Sequence, residues 1–201
     1  MRLFFLNLAL LALTSCSSPA PKTEKKAEPP PEPVGAQKAF FKTYPSARTW
    51  SSDVMALQVE SLAIPEVKPV DGKFGAWKIT YVSPAKGRLK VYTYSVVESP
   101  GNAYKDVFSP LEERWNGPTG QTLPFRIEAF KTESDKAMKV AVEKCQAFLA
   151  KGSTKPVNIL LEWNKRFSQP SYRIYWGDTI GMSEQSVFVD VTSGQFLTKV
   201  P

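Results

Sequence analysis

The chain has 201 residues and a formal net charge of +7, with two cysteines and no histidine. A chain without histidine lacks the usual general base, the partner that activates serine or cysteine nucleophiles, and histidine metal ligands. Its positive charge is moderate, is spread along the sequence and comes with no nucleic-acid-binding motif, so nucleic acid is not an expected partner.

The first residues have the pattern of a bacterial export signal. Arg2 gives a positively charged start, and residues 3–13 form an apolar run of eleven residues, far shorter than the about 20 that a membrane-spanning helix needs. Residues 13–16, LTSC, resemble a bacterial lipobox. The resemblance implies cleavage between Ser15 and Cys16 and lipidation of Cys16. The alternative is an ordinary signal peptide that happens to contain a cysteine.

Lipidation at Cys16 would attach the protein to a membrane without a membrane-spanning helix. Each buried methylene of an acyl chain stabilises attachment by about 0.8 kcal/mol, so two or three chains hold a protein firmly. Residues 1–15 are then a removed signal peptide, and the mature protein is extracytoplasmic. Ser17 follows the cysteine. Since the lipoproteins that this pattern resembles use aspartate there for inner-membrane retention, the periplasmic face of the outer membrane is favoured in a Gram-negative cell.

Residues 16–35 are predicted to be the lipidated cysteine and a linker. After Cys16 the segment is dense in proline, lysine and glutamate and holds almost nothing that could be buried, which is typical of disordered or polyproline-like chain. At about 3.1 Å per residue, such a segment could extend up to roughly 60 Å. It is either a stalk that lifts a domain away from the membrane or a passive spacer.

Residues 36–110 are predicted to form a helix followed by three antiparallel strands. Alanines and aromatic residues recur at helical spacing over residues 36–50, and Pro45 interrupts them, which indicates a short or kinked helix whose second piece starts at the proline. Residues 56–62 alternate as a strand, with a helix over residues 53–62 as the alternative. Two further strands, over residues 77–82 and 88–97, are predicted to form a hairpin.

A long connection is predicted between two similar halves of the chain. Proline, glycine and charge dominate residues 98–123, and the connecting loop is placed at residues 111–131. A loop of this length is uncommon unless it is functional or a linker. A link between two similar halves explains it.

Residues 132–201 are predicted to repeat the plan of a helix and three strands. Thr132 and Asp135 have the spacing of a capping box, an apolar stripe of helical period follows them, and Gly152 ends the helix. The predicted strands cover residues 157–163, 172–176 and 186–191. A turn then leads to the apolar pair Phe196 and Leu197.

The end of the chain resembles a PepSY domain. That family combines a helix rich in alanine with strands that end in an aspartate, a Thr-x-Gly turn and two apolar residues, and residues 190–197 have the sequence DVTSGQFL. Aspartate can accept hydrogen bonds from turn amides, and glycine adopts the positive φ of a tight hairpin. The resemblance covers residues 132–201, with a fainter echo over residues 36–101. It implies an α+β fold of two PepSY-like units, each a helix plus a three-stranded antiparallel sheet, in a noncatalytic module that restrains proteases or partners envelope proteins.

One strand offers a candidate binding face. Alternation along residues 88–95 sends Arg88, Lys90, Tyr92 and Tyr94 to the same side. A basic and aromatic stripe of this kind could stack on sugars or hold an acidic peptide or glycan. The alternative is the solvent face of a one-sided sheet, with the tyrosines packed by a helix.

The other reactive side chains are interpreted as structural or solvated. Cys145 lies on the apolar stripe of the second helix, where a buried thiol without a histidine partner is inert. The carboxylates that could pair for acid–base chemistry, but whose geometry the sequence does not fix, are Glu112, Glu113, Glu128, Glu133 and Asp135. We therefore expect no catalytic residues, no metal and no cofactor.

These observations predict a noncatalytic binding or regulatory module that is lipid-anchored in the cell envelope. Its expected partners are the membrane, through Cys16, and an envelope protein or anionic polymer. Two other functions stay open at this point. One is a histidine-free envelope hydrolase, which would need a Ser-Lys or Asp/Glu pair in a deep pocket, and the other is a purely structural lipoprotein.

Overall fold

A computed structural model describes residues 30–100, 103–110, 112–119 and 122–201 of the protein. The predicted signal peptide, Cys16 and residues 17–29 of the linker lie outside the described residues. The chain divides into Met1–Pro30 and Pro31–Pro201, and every element described below belongs to the second unit.

The predicted helix over residues 36–50 is present, but Pro45 does not start a second piece of it, and three strands follow. α1 (Ala36–Trp50) is one helix with Pro45 inside it. Because proline has no N–H, it cannot donate to the carbonyl of Phe41, a residue that is largely exposed. The strands are β1 (Met55–Leu62), β2 (Ala76–Ser83) and β3 (Arg88–Ser95). The alternative of a helix over residues 53–62 is wrong.

Two short strands form where the sequence predicts only a surface connection. β4 (Asp106–Phe108) pairs with the C-terminal end of β3, and β5 (Glu112–Arg114) pairs with its N-terminal end. Three residues are too few to show an alternating pattern, so these strands carry no signal in the sequence. Both are held by the free edge of β3.

The second half begins with a helix that is shorter than predicted. α2 covers Ser134–Lys144, and its C-cap is Cys145, whose φ of −114° and ψ of 16° lie outside the helical region. α3 (Gln146–Leu149) adds one further turn. The N-cap is Glu133 instead of Thr132, and its side chain accepts from the Ser134 amide. Four strands follow: β6 (Val157–Asn164), β7 (Gln169–Trp176), β8 (Gln185–Asp190) and β9 (Phe196–Val200).

The nine strands of the described residues form a single antiparallel sheet. Its order is β4-β3-β2-β1-β6-β7-β8-β9, and β5 pairs with β3 beside β4. The two halves join at the centre, where β1 and β6 pair antiparallel and Val59 lies opposite Leu161. The predicted fold class is therefore wrong. The chain does not form two PepSY-like α+β units with separate three-stranded sheets, but one nine-stranded sheet with few helices.

The fold class was predicted wrongly because alternation identifies strands but not which strands pair. A period of two residues marks a strand and its buried face, but it does not identify the neighbouring strand. Two separate units would leave β1 and β6 as open edges, and pairing these edges with each other removes both of them. The sequence boundaries at residues 36–110, 111–131 and 132–201 stay predictions.

The helices and the core lie on one face of the sheet. α1 packs against β1, β2 and β3, and α2 packs against β7, β8 and β9. Phe40 of α1 meets Phe130, which precedes α2, with ring centroids 5.1 Å apart. One hydrophobic core therefore spans both halves of the sheet. Its largest fully buried side chains are Trp77, Tyr81, Tyr172, Phe40 and Phe74.

Candidate functional site

The predicted binding face of β3 is exposed at one end and buried at the other. Arg88 is exposed and Lys90 is half-buried, whereas Tyr92 and Tyr94 are only 3% and 7% exposed. Both tyrosines belong to the core between the sheet and the helices, and the Tyr92 hydroxyl donates to the Ser46 carbonyl of α1 at 3.3 Å. Burial raises the pKa of both phenols. The tyrosines are thus packed by a helix, and the accessible part of the stripe is its basic end.

Lys90 and Tyr92 come together in a cleft at the C-terminal end of α1. The cleft has a volume of about 410 Å³ and is also lined by Trp50; we call it the Trp50 cleft. Its other lining residues, which are mostly hydroxyl-bearing, are Ser46, Thr49, Val107 and Ser109. Arg88 and Tyr94 are not part of the lining. Of the four predicted residues, the structure therefore brings two into one concave surface.

Polar contacts on both sides hold Trp50 in place. Its indole Nε1 donates to Glu112 Oε2 of β5 at 2.7 Å. Lys86 Nζ lies 5.3 Å from the centroid of a Trp50 ring and donates to the Trp50 carbonyl. Lys90 Nζ lies 5.6 Å from the Tyr92 ring centroid, and Lys90 is the register partner of Glu112. The cleft thus combines an aromatic wall, hydroxyls and the Lys90 ammonium group. The Lys86 ammonium group and the Glu112 carboxylate lie against Trp50 beside it, and such a surface is suited to recognition.

A carboxylate that the sequence analysis did not single out lies near the same end of α1. The Ser51 and Ser83 hydroxyls each donate to Asp53 Oδ1 at 2.6 Å, and the Ala85 amide donates to Asp53 Oδ2 at 2.7 Å. These hydrogen bonds, that of Ser51 foremost, lower the pKa of Asp53 to about 2. The signal in the sequence was the run SSD directly after the predicted helix, which is typical of a side-chain-stabilised turn.

The Asp53 cluster is suited to structure more than to acid–base chemistry. A serine hydroxyl beside a carboxylate resembles part of a hydrolytic site, but a general base works best when its pKa is near the operating pH. A pKa of about 2 is far below that. Asp53 instead ties the end of α1 to the turn between β2 and β3.

We expect Asp53→Asn to destabilise the protein in a pH-dependent manner. Because the pKa of Asp53 is lowered from 3.8 to about 2 on folding, its stabilising contribution is complete above pH 3.8 and is lost as the pH falls through about 2. For a half-buried, solvent-screened carboxylate the expected loss is about 1–2 kcal/mol at neutral pH. Urea unfolding of both proteins between neutral pH and pH 2 measures this difference.

The control for this experiment is Asp178→Asn, since Asp178 lies at an exposed position. That variant should match the wild type at neutral pH. A loss for Asp53→Asn that is the same at pH 2 and at neutral pH would contradict the role of the carboxylate charge.

The sheet face opposite the helices carries a row of separate polar contacts between neighbouring strands. Glu60 pairs with Lys78 at 2.5 Å, Gln58 donates to Glu162 Oε2 at 3.2 Å, and Arg173 donates to Ser186 Oγ at 3.1 Å from Nη2. Burial raises the pKa of Glu162. Alternation predicts polar residues on this face, but only the pairing of β1 with β6 brings Gln58 to Glu162.

The remaining candidate residues from the sequence are buried or take part in contacts that stabilise the fold. Cys145 is 2% exposed, and burial raises the pKa of its thiol, which favours the unreactive protonated form. Glu133 accepts hydrogen bonds from the Gln37 and Ser134 amides, and Asp135 lies 3.9 Å from Lys73. Within the part of the chain that the structure describes, no three Asp, Glu or Cys side chains group in a way that could hold a metal ion.

No protein-family model matches the chain. Comparison with curated proteins gives no match either. Among solved structures, the chain is similar to a protein from Clostridium difficile 630 that is described as a candidate lipoprotein, with a TM-score of 0.45 and 10% identity over 81% of this chain and 91% of that one. Over the described ranges, no helix is long and apolar enough to cross a membrane.

Proposed function

We propose that the protein is a noncatalytic binding module, anchored by a lipid on Cys16 outside the cytoplasm, that recognises an envelope protein or anionic polymer through the Trp50 cleft. The observation that carries this proposal is the meeting of Lys90 and Tyr92 with Trp50 at one concave surface. Support for the anchor comes from the sequence LTSC at residues 13–16, directly after an apolar run.

The chemistry of the cleft favours a partner with negative charge and some apolar surface. Lys86 is exposed beside Trp50. Arg88 is exposed at the end of β3, where it lies opposite Arg114 in the register of β3 with β5. Cationic groups at the rim of a binding surface steer an oppositely charged partner and speed its association. Tryptophan and arginine are enriched among the residues that dominate binding energy. An acidic segment of an envelope protein or an acidic polymer fits both features.

The anchor would contribute by confinement. A protein held to a membrane through a flexible linker meets partners on that membrane at a high effective concentration, so modest affinity is sufficient. A linker that reaches up to roughly 60 Å in an extended conformation would allow the domain to search a wide area. In a Gram-negative cell, the choice between inner and outer membrane rests on Ser17 alone, and the periplasmic face of the outer membrane is then the proposed location.

Binding is proposed over hydrolysis because of the surroundings of the Asp53 and Cys145 side chains. The Asp53 carboxylate, with its pKa of about 2, supplies no base near neutral pH. The Cys145 thiol is buried among core side chains. Neither group supports the alternative of a histidine-free hydrolase.

The anchor is tested by metabolic labelling with palmitate in the native bacterium. We expect the wild-type protein to be labelled and to fractionate with membranes, and Cys16→Ser to lose the label, because serine has no thiol to form the thioether. A wild-type protein that stays unlabelled and keeps its apolar leader would contradict the anchor.

The cleft is tested by crosslinking and purification of the membrane-anchored protein from its own envelope. The double variant Arg88→Ala with Lys90→Ala should recover crosslinked partners about tenfold less well, equivalent to about 1.4 kcal/mol of binding free energy. The matched control is Lys165→Ala with Arg166→Ala, which removes the same two charges from the exposed turn after β6. Equal recovery from both double variants would remove the cleft from the proposal.

A further inference from the structure

Two hydroxyl groups of the Trp50 cleft present acceptors to a ligand. Thr49 Oγ1 donates to the Pro45 carbonyl at 3.0 Å, and Ser109 Oγ donates to the Val91 carbonyl at 2.8 Å. Because a hydroxyl has one proton, each oxygen can only accept a hydrogen bond from a molecule in the cleft. Thr49 is exposed, Ser109 is half-buried and both line the cleft, so a ligand with hydrogen-bond donors can reach them.

The carboxylate beside Trp50 is a further acceptor. Glu112 is exposed, and its Oε2 accepts from the indole Nε1 at 2.7 Å. Its charge repels a second carboxylate, whereas the hydroxyls of a ligand can donate to it. Since the indole N–H is already used, Trp50 offers a ligand its ring surface, which suits the C–H face of a sugar ring.

The Lys90 ammonium group is a donor that lacks an anionic partner. Lys90 is half-buried, its Nζ lies 5.6 Å from the Tyr92 ring centroid, and no ion pair among the described residues involves it. An ammonium group has three protons and no acceptor. In a cleft that is partly shielded from water, it attracts a carboxylate more strongly than it would on an open surface.

These groups together favour an acidic saccharide over an acidic peptide. Near neutral pH the acidic side chains of a peptide are ionised and only accept hydrogen bonds, so they would pair with Lys90 but offer no proton to Thr49 or Ser109. A uronate sugar carries a carboxylate and several hydroxyl donors on one ring. That combination matches a cleft with one ammonium group, several acceptors and an aromatic wall.

We propose that the Trp50 cleft binds a uronate ring of an acidic polysaccharide. The ring packs on the indole, its hydroxyls donate to Thr49 and Ser109, and its carboxylate pairs with Lys90. The cleft volume of about 410 Å³ lies within the range of about 300–1,000 Å³ that is typical of small-molecule sites. This inference rests on the proposed function and narrows its partner to one chemical class.

The test measures binding of two acidic trisaccharides that differ in configuration, trigalacturonate and trimannuronate, to the full chain in uncharged, sugar-free detergent micelles by isothermal titration calorimetry. At least one of them should bind with a Kd on the order of 0.1–1 mM. Its methyl ester keeps the rings and hydroxyls without the charge, and triglutamate keeps three carboxylates without the hydroxyls. Each of these two matched ligands should bind about tenfold more weakly.

Lys90→Gln tests the carboxylate contact. The variant should weaken binding of the acidic trisaccharide about tenfold and leave binding of the methyl ester unchanged, because only the charged ligand pairs with the ammonium group. Lys165→Gln is the matched control, since it removes the same charge from the exposed turn after β6, and it should bind both ligands as the wild type does.

Thr49→Val tests the hydroxyl contact. Valine keeps the shape of the side chain without its oxygen, so the variant should weaken binding of the acid and of the ester alike by several-fold. Thr154→Val, at another exposed position, is the control and should change neither. The thermal midpoints of all four variants show that the fold is kept.

Three results would overturn the inference: failure of both acidic trisaccharides to bind at up to about 10 mM, binding of triglutamate as tight as theirs, or undiminished binding of the acid by Lys90→Gln. The recovery of crosslinked partners tests the cleft without assuming a ligand class. If recovery depends on Arg88 and Lys90 while neither trisaccharide binds, the polysaccharide is wrong and the cleft remains the binding site.

Discussion

Phe40→Ala should destabilise the protein by about 3–5 kcal/mol, the largest loss that we expect from a single substitution. Phe40 is completely buried, and its ring lies 5.3 Å from that of Tyr81 and 5.1 Å from that of Phe130. Truncation removes the transfer free energy of the ring and leaves a cavity at the point where the two halves share one core. Urea unfolding monitored by far-UV circular dichroism measures the loss.

The next residue of the same helix provides the control. Phe41 is 49% exposed, so Phe41→Ala should change the free energy of unfolding by less than about 1 kcal/mol. Both variants remove the same ring from α1, and they differ only in what surrounds it. Equal losses from the two variants would mean that Phe40 does not join the halves of the core.

The helices and most strands could be predicted because their periodicity is strong. The hairpin of β2 and β3 has clear alternation, and α1 is found although Pro45 lies inside it. Pairing between distant strands could not be predicted, because Val59 and Leu161 carry no sequence mark that identifies them as partners. The break of the second helix at Cys145 was missed for a related reason, since the apolar stripe continues through it while the backbone does not.

Part of the candidate site could also be predicted. Alternation correctly placed Lys90 and Tyr92 on one side of β3, and both line the Trp50 cleft. Alternation could not reveal that α1 covers Tyr92. It also could not reveal that Trp50, forty residues before Lys90, completes the cleft.

Helix α1 receives its N-terminal cap from the other half of the chain. Gly35, the N-cap residue, has no side chain to accept from the first amides. Instead, Ser134 Oγ accepts from the Ala36 amide at 2.9 Å and Glu133 Oε1 accepts from the Gln37 amide at 2.8 Å. A Cβ on Gly35 would lie 2.4 Å from the Glu133 carboxyl carbon, so glycine is what allows this approach.

Ser134→Ala should therefore cost about 2–4 kcal/mol, although it removes a single oxygen. Ser134 is completely buried, and its hydroxyl also donates to the Gly72 carbonyl at 2.7 Å. Its loss leaves a buried amide and a buried carbonyl unpaired, each at about 1–3 kcal/mol, and uncaps α1. Ser153→Ala is the control, since the Ser153 hydroxyl donates to Glu184 at an exposed site and should contribute less than about 0.5 kcal/mol. If urea unfolding gives similar small losses for both variants, the joining of the two halves depends on the core around Phe40 alone.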